Sequence, residues 1–370
     1  MLKSSYISNF KNVIDTFTYI SIESIIIFFL SLGILCIIIY LSRKLKGKVR
    51  SIVLFLMLFL LIRLLLLANP FAWGLYSLVL TLQDVGWRQY YVINHEFQSY
   101  LKKPPINYLA IGSSQAHDLF IYYSYWTFNN SEINNKFGVF WQAAFSPMDF
   151  LLYKKRIFDY SPKHILLYLS EFDLASPPGL DYKSHGPRQG FFLIDLVSLT
   201  NELKGSSEKK EFLTSMLIGE FFPEYKYSFV FKAITSKLED KLTNTKTSYP
   251  GFDATPKEML EGQLKYFSTL DGKWVNYNFA LLKKFLDICD KKGLPVIIVE
   301  GQYNPVAYNE KNRWLNFIIK QKLAALAANY SRVTFVPTPP FEAGCYKDLM
   351  HVKRECAIPF SVELMHHLPQ

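Results

Sequence analysis

The spacing of hydrophobic and polar positions changes character along this chain. Near the N-terminus, Ile25–Leu41 (IIIFFLSLGILCIIIYL) is an uncharged apolar run of membrane-spanning length, and Ile52–Ala68 is a second, interrupted only by Arg63. The pattern predicts transmembrane helices over about 24–41 and 52–68. A cleaved signal peptide fits less well, because Glu23 precedes the first run and no small-residue cleavage site follows it. Arg43, Lys44, Lys46, Lys48 and Arg50 crowd the short loop between the runs, which the positive-inside rule assigns to the cytoplasm. Everything beyond about residue 70 then lies on the outer side of a cell membrane. An arginine in hydrocarbon costs roughly 2.5 kcal/mol or more, so Arg63 is expected to face a partner helix or polar cavity, or else to snorkel. After Asn69-Pro70, the apolar and aromatic stretch 70–83 suits a short helix lying in the membrane interface.

From about residue 100 the apolar runs shorten and alternate with amphipathic stretches. INYLAIG (106–112), FGVFWQAAF (137–145), HILLYLSEFD (164–173), LPVIIVEGQ (294–302) and RVTFVPTP (332–339) read as strands. Segments 146–162, 274–293 and 309–331 have helical spacing, and an apolar helix carrying Ile358, Phe360, Val362, Leu364 and Met365 closes the chain. Such alternation predicts an α/β fold, a mainly parallel sheet with helices on both faces. Residues 180–272 break the rhythm with turns and polar stretches and read as a partly helical insertion able to cover a site or dock a partner. The expected organisation is a membrane anchor over 1–85 and an extracytoplasmic domain over 100–370.

The 370 residues carry a formal net charge of +10, without a basic tail or nucleic-acid motif. The excess is assigned to attraction toward anionic lipid head groups or envelope polymers, with no nucleic-acid partner. Of the four cysteines, Cys36 and Cys289 read as unpaired apolar fillers. Cys345 and Cys356 lie in a compartment that permits disulfides, and a bridge between them is a hypothesis of this reading. His164, His185, His366 and His367 lack metal-ligand partners at suitable spacing, and no phosphate loop is present, so no metal, nucleotide or other cofactor is expected.

Candidate chemistry sits at two distant places. Gly112-Ser113-Ser114 ends the first predicted strand, where glycine allows a tight turn and the next helix offers free N–H groups to a developing negative charge. A serine there can equally be a helix cap. Near the other end, Asp348 stands three residues before His351. That spacing lets the carboxylate accept a hydrogen bond from Nδ1 and fix the tautomer whose Nε2 takes a proton from a serine. An ordinary surface turn is the alternative. His117 falls on the first turn of the helix after Ser114, lining a pocket or only packing.

Together, strand–Gly-x-Ser near the start and Asp-x-x-His near the end of an α/β domain resemble the SGNH (GDSL-like) hydrolase superfamily. The likeness is to its membrane-anchored envelope branch, which includes DltD-like and alginate O-acetylation proteins. It covers roughly residues 104–180 and 290–368. The resemblance implies a three-layer, flavodoxin-like sheet with Ser114 as nucleophile, His351 as base and Asp348 as its orienter, Ser113 replacing the family's Asp. The family often carries a Gly and an Asn as oxyanion donors; here FWQAAFSPMD (140–149) and YLSEFDL (168–174) contain neither. Gln142 is then the available amide donor, with the backbone N–H groups of Ser114 and Ala143. Glu171 and Asp173 are expected as solvated loop acids or as ligands of a hydroxyl-bearing acceptor. The implied activity is a serine esterase or O-acyltransferase acting on a cell-envelope glycan or lipid beside a membrane-bound O-acyltransferase. Plain hydrolysis and a non-catalytic scaffold or glycan-binding component are the alternatives. The α/β-hydrolase elbow fits less well, since its last glycine is Ala116 here.

Overall fold

A computed structural model describes residues 22–42, 47–67, 106–142, 144–177, 256–270, 272–339 and 341–368, with a few isolated positions between 197 and 243. These residues fall into two compact units. The first carries two helices, α1 (Ile22–Ser42) and α2 (Lys48–Leu67). Their described side chains are apolar and largely exposed, among them Phe29, Leu30, Ile37, Ile52 and Phe55. Over the described residues, no helix is long and apolar enough to cross a membrane, so the structure does not support the two predicted spans. The apolar runs continue into side chains outside the described set, including those at 25–28 and 63–67, and Arg63 with them. The predicted interfacial helix at 70–83 and most of the insertion at 180–272 also lie outside the described residues.

The second unit is built on five strands, β1 (Ile106–Gly112), β2 (Lys136–Trp141), β3 (His164–Leu169), β4 (Val296–Glu300) and β5 (Val333–Val336). All neighbours pair in parallel, in the order β2-β1-β3-β4-β5. Strands buried on both faces read as continuous apolar runs, and Leu109–Ile111, Ile165–Leu169 and Val296–Val299 are such runs. This strand order is the flavodoxin-like layout, in which the order of strand addition reverses between β1 and β3. The α/β expectation therefore holds at the level of the sheet.

Helices α3 (Ser114–Asn129), α4 (Pro147–Leu152), α5 (Lys154–Asp159), α6 (Glu171–Ala175), α7 (Pro256–Thr269), α8 (Val275–Lys291), α9 (Glu310–Ala327) and α10 (Arg354–His367) surround it. Two predicted strands end early, β2 at Trp141 and β3 at Leu169. Ser170, directly after β3, and Ser146, five residues after β2, each donate backbone N–H and hydroxyl to a carboxylate three residues on, the geometry that starts a helix. Ser146 reaches Asp149 Oδ2 at 2.8 and 2.9 Å, and Ser170 reaches Asp173 Oδ2 at 2.9 and 2.7 Å. The predicted helix at 146–162 is two short helices that part at Tyr153.

The C-terminal helix buries a different face from the one its apolar residues suggest. Ala357, Ser361, Leu364 and Leu368, spaced i, i+4, i+7 and i+11, pack inward, while Ile358 is exposed. The buried stripe joins Leu119 and Phe120 of α3 in one core cluster. Ser361 fits among them because its hydroxyl donates to Leu119 O at 2.8 Å. Helix α10 thus lies along α3, the helix that begins at Ser114.

Gly112 is fixed by space. A Cβ there would stand 2.7 Å from Ala116 Cβ and 2.9 Å from Tyr168 O, a backbone atom that cannot swing away. Gly112→Ala is expected to lower stability by roughly 1–3 kcal/mol, as overpacking of a rigid core does. A urea midpoint equal to that of the parent would contradict this close approach.

Candidate active site

Three of the sequence-predicted residues meet at the carboxyl edge of the sheet. Ser114 Oγ lies 2.9 Å from His351 Nε2, and His351 Nδ1 lies 2.7 Å from Asp348 Oδ2. Each position follows from local structure. Ser114 is the first residue of α3, capped by the extended Ser113, so its hydroxyl stands at the mouth of β1 beside first-turn N–H groups that no helical carbonyl satisfies. Ser113 is buried at 3% exposure, whereas Ser114 is partly open, which makes Ser114 the accessible hydroxyl of the pair.

Asp348 and His351 occupy a tight loop, not a helical turn. Asp348 Oδ1 accepts the backbone N–H groups of Met350 (2.7 Å) and His351 (2.9 Å), leaving Oδ2 to the imidazole. Lys347 N–H donates to His351 O at 2.8 Å, and Tyr346 bridges Val352 in an antiparallel pair. The base of the loop is closed by a disulfide between Cys345 and Cys356, whose Cα atoms are 5.7 Å apart. Asn304, after β4, holds the loop from the sheet side, its backbone N–H donating to Leu349 O at 2.9 Å. Gln263 of α7 accepts the Leu349 N–H, also at 2.9 Å. Neither residue is visible as functional in the sequence, because both act on backbone atoms across gaps of 45 and 86 positions.

The electrostatics suit a base. Burial works against ionisation of Asp348, but the His351 imidazole and the two backbone N–H groups outweigh it and hold the carboxyl well below its usual range. Burial likewise disfavours imidazolium at His351; the hydrogen bond and charge of Asp348, helped by Asp118, reverse this and raise the His351 pKa above its ordinary value. Asp118 comes from α3 and binds Lys347 at 2.8 Å, tying the nucleophile helix to the loop. It also meets His117 Nδ1 at 3.2 Å.

His117 packs its ring on Trp141, with centroids 4.2 Å apart, so the pair forms an aromatic wall beside the end of β1. Gln142 is buried, and its backbone N–H donates weakly to Gly112 O at 3.4 Å. This places it at the β1–β2 edge. Ala143 lies outside the described residues. Among the described residues no group of three His, Cys, Asp or Glu side chains is placed to hold a metal ion.

The expectation of solvated loop acids at Glu171 and Asp173 is overturned, since both are buried, at 4% and 3% exposure. They sit on α6, whose capping arrangement draws them under the sheet edge. Burial pushes Glu171 up to about 8, against a hydrogen bond from Asn316, and Asp173 up to about 6, against hydrogen bonds from Ser170 and Ser113. Tyr303 completes this layer, donating to Ser170 Oγ and accepting from Phe172 N–H, both at 2.7 Å.

No protein-family model matches the chain, and no curated protein matches it either. What the site can do follows from its atoms: a hydroxyl, an imidazole and a carboxylate lie in line, with unsatisfied helix N–H groups beside the hydroxyl. That set can form and break an ester at Ser114 Oγ.

Two outcomes follow. Because His351 must be neutral to accept a proton, the rate of Ser114 labelling by a fluorophosphonate should fall on the acid side around a midpoint above the ordinary histidine value. Asp348→Asn should lower that midpoint and slow labelling by about 10²–10⁴-fold, as loss of the orienting carboxylate does in serine triads. A midpoint unchanged in Asp348→Asn would separate the carboxylate from the imidazole. Reduction of Cys345–Cys356, which removes a short covalent loop, should cost roughly 2–3 kcal/mol and slow labelling. Calorimetry of the oxidised and reduced protein, paired with the labelling rate, checks both effects.

Proposed function

We propose that this chain is a serine esterase or O-acyltransferase of SGNH type, held at a membrane by its N-terminal helices with the α/β unit outside the cytoplasm. The observation that carries the reading is the unbroken line Asp348–His351–Ser114 at the end of β1, beside the point where the strand order reverses. In an open α/β sheet that crevice is where ligands bind.

Ser114 Oγ attacks the carbonyl carbon of an ester or thioester as His351 Nε2 takes its proton. Negative charge then grows on the carbonyl oxygen beside the Ser114 N–H at the start of α3, with Gln142 as the candidate side-chain donor. His351, charged and steadied by Asp348, returns the proton to the departing alcohol or thiol, leaving an acyl group on Ser114. A hydroxyl of an envelope glycan or lipid, or water, then attacks the acyl carbon while giving its proton to His351, which passes it to the departing Ser114 Oγ as the acyl–oxygen bond breaks. Asp348 remains a carboxylate throughout.

Support for an outer location comes from the basic loop between the apolar runs and from the disulfide that braces the catalytic loop, a bond suited to oxidising compartments. The described apolar side chains exposed on α1 and α2 suit contact with lipid or with a membrane-bound O-acyltransferase. Exposed apolar helices of this kind are expensive in water.

The test uses the full chain in membranes. A fluorophosphonate should attach to the peptide containing Ser114, and Ser114→Ala and His351→Ala should each abolish attachment. A wild-type chain that stays unlabelled, or a Ser114→Ala variant with full function in cells, would replace this reading with the scaffold. Release of free acid from a short-chain ester that added glycan leaves unchanged would assign hydrolysis over transfer.

A further inference from the structure

A second concavity opens on the same edge of the sheet, at the carboxyl end of β4. It measures about 390 Å³ and includes Glu300, Gln302, Arg313, Asn316, Lys320 and Thr338 in its wall. β4 lies two strands from β1, hence about 10 Å along the edge from the strand that presents Ser114.

The wall mixes apolar surface from Pro305 and Tyr308 with polar groups held in fixed positions. Glu300 Oε2 takes Lys320 Nζ at 2.9 Å and Thr338 N–H at 3.2 Å, and Gln302 Nε2 donates to Thr338 O at 3.0 Å. Asn316 is pinned by donating to the buried Glu171 carboxyl. These bonds leave Glu300 Oε1, Gln302 Oε1 and Asn316 Oδ1 without a partner among the described residues, while Arg313 is exposed with no carboxylate paired to it there. Three anchored acceptors beside a guanidinium match a ligand whose groups both donate and accept, as hydroxyls do. A simple anion would meet the Glu300 carboxylate, and an acyl chain would strand the amides.

The rim supplies the second requirement. Arg313, Asn316, Phe317 and Lys320 are spaced i, i+3, i+4 and i+7, so they share one face of α9. Phe317 is 56% exposed, and Trp314, one turn before it, 62%. Large exposed rings beside a polar cleft mark recognition of a surface that is apolar on one side and hydroxylated at its edge. A pyranose ring has that form, its C–H face stacking on the aromatic ring while its hydroxyls reach the amides.

We propose that this cleft binds a saccharide, with Phe317 as its stacking platform and Gln302, Asn316 and Glu300 as its hydroxyl partners. Its role as the site that holds the acceptor glycan rests on the acyl-transfer reading above; the binding itself does not. The same edge of the sheet then presents the acyl group at Ser114 and the sugar at β4.

The test is made on the full chain in nanodiscs carrying Ser114→Ala, so that no turnover intrudes. Calorimetric titration with chitohexaose, maltohexaose and a hexameric oligogalacturonate is expected to give saturable binding of at least one. Phe317→Ala and Gln302→Ala should each weaken that binding about tenfold, the size expected for one lost stacking or hydrogen-bonding partner. Thermal midpoints equal to the parent's would show both variants folded. No binding of any of the three, or binding that survives both substitutions, overturns the proposal. Fluorophosphonate labelling of the wild-type chain reports on Ser114 separately, so a failed cleft and a failed triad give different results.

Discussion

Helix α10 lies along α3, and the contact between them sets where the chemistry can occur. The nucleophile begins α3 and the base precedes α10, so Ala357, Leu364 and Leu368 packed against Leu119 and Phe120 bring together residues 237 positions apart. Ser361 adds a directional bond to Leu119 O, which fixes the register of one helix on the other. A shift of one residue along either helix would move side chains by about 1.5 Å, enough to break a 2.9 Å contact. The disulfide and the Asp348 turn then remove the remaining freedom of the loop that carries the imidazole.

The sheet decides what surrounds that contact. With β1 and β3 adjacent and their connections leaving in opposite directions, a crevice forms above their carboxyl ends, and Ser114, Ser170 and the buried acids of α6 crowd beneath it. Ser170 serves Asp173 and Ser113 is buried, so of the serines that follow strands β1 and β3 it is Ser114 that is left partly open. Two buried carboxyls with raised pKa values are costly in the folded state near neutral pH. Asn316 donates to Glu171 and Ser170 donates twice to Asp173 Oδ2, while Glu171 Oε2 and Asp173 Oδ1 have no partner among the described residues.

Much of this arrangement was legible in the chain. The short, nearly continuous apolar runs at 106–112, 164–169 and 296–300 read as buried strands, because strands of a parallel sheet covered on both faces lack the polar alternation of a half-exposed strand. The Asp348-x-x-His351 spacing was readable because it is local: one carboxylate can satisfy two backbone N–H groups and a ring nitrogen within a four-residue turn. Other features left no such mark. The strand end at Leu169 was set by a serine–aspartate cap inside apolar sequence, and the buried face of α10 by a stripe of small residues, Ala357 and Ser361, that hydropathy undervalues. Asn304, Gln263 and Asp118 look like ordinary polar residues, because their partners are backbone atoms or a lysine far away in the chain.

By itself the sequence determined the elements, the α/β class, the apolar N-terminal runs and the local pairing of Asp348 with His351, all properties governed by neighbours a few positions apart. Tertiary structure alone decided that Ser114 Oγ comes within 2.9 Å of the imidazole, that Glu171 and Asp173 lie buried, and that Arg313, Asn316 and Lys320 of α9 line a cleft with Glu300. Those outcomes depend on which surfaces meet across the sheet, and burial is a property of that meeting that no short stretch of chain carries.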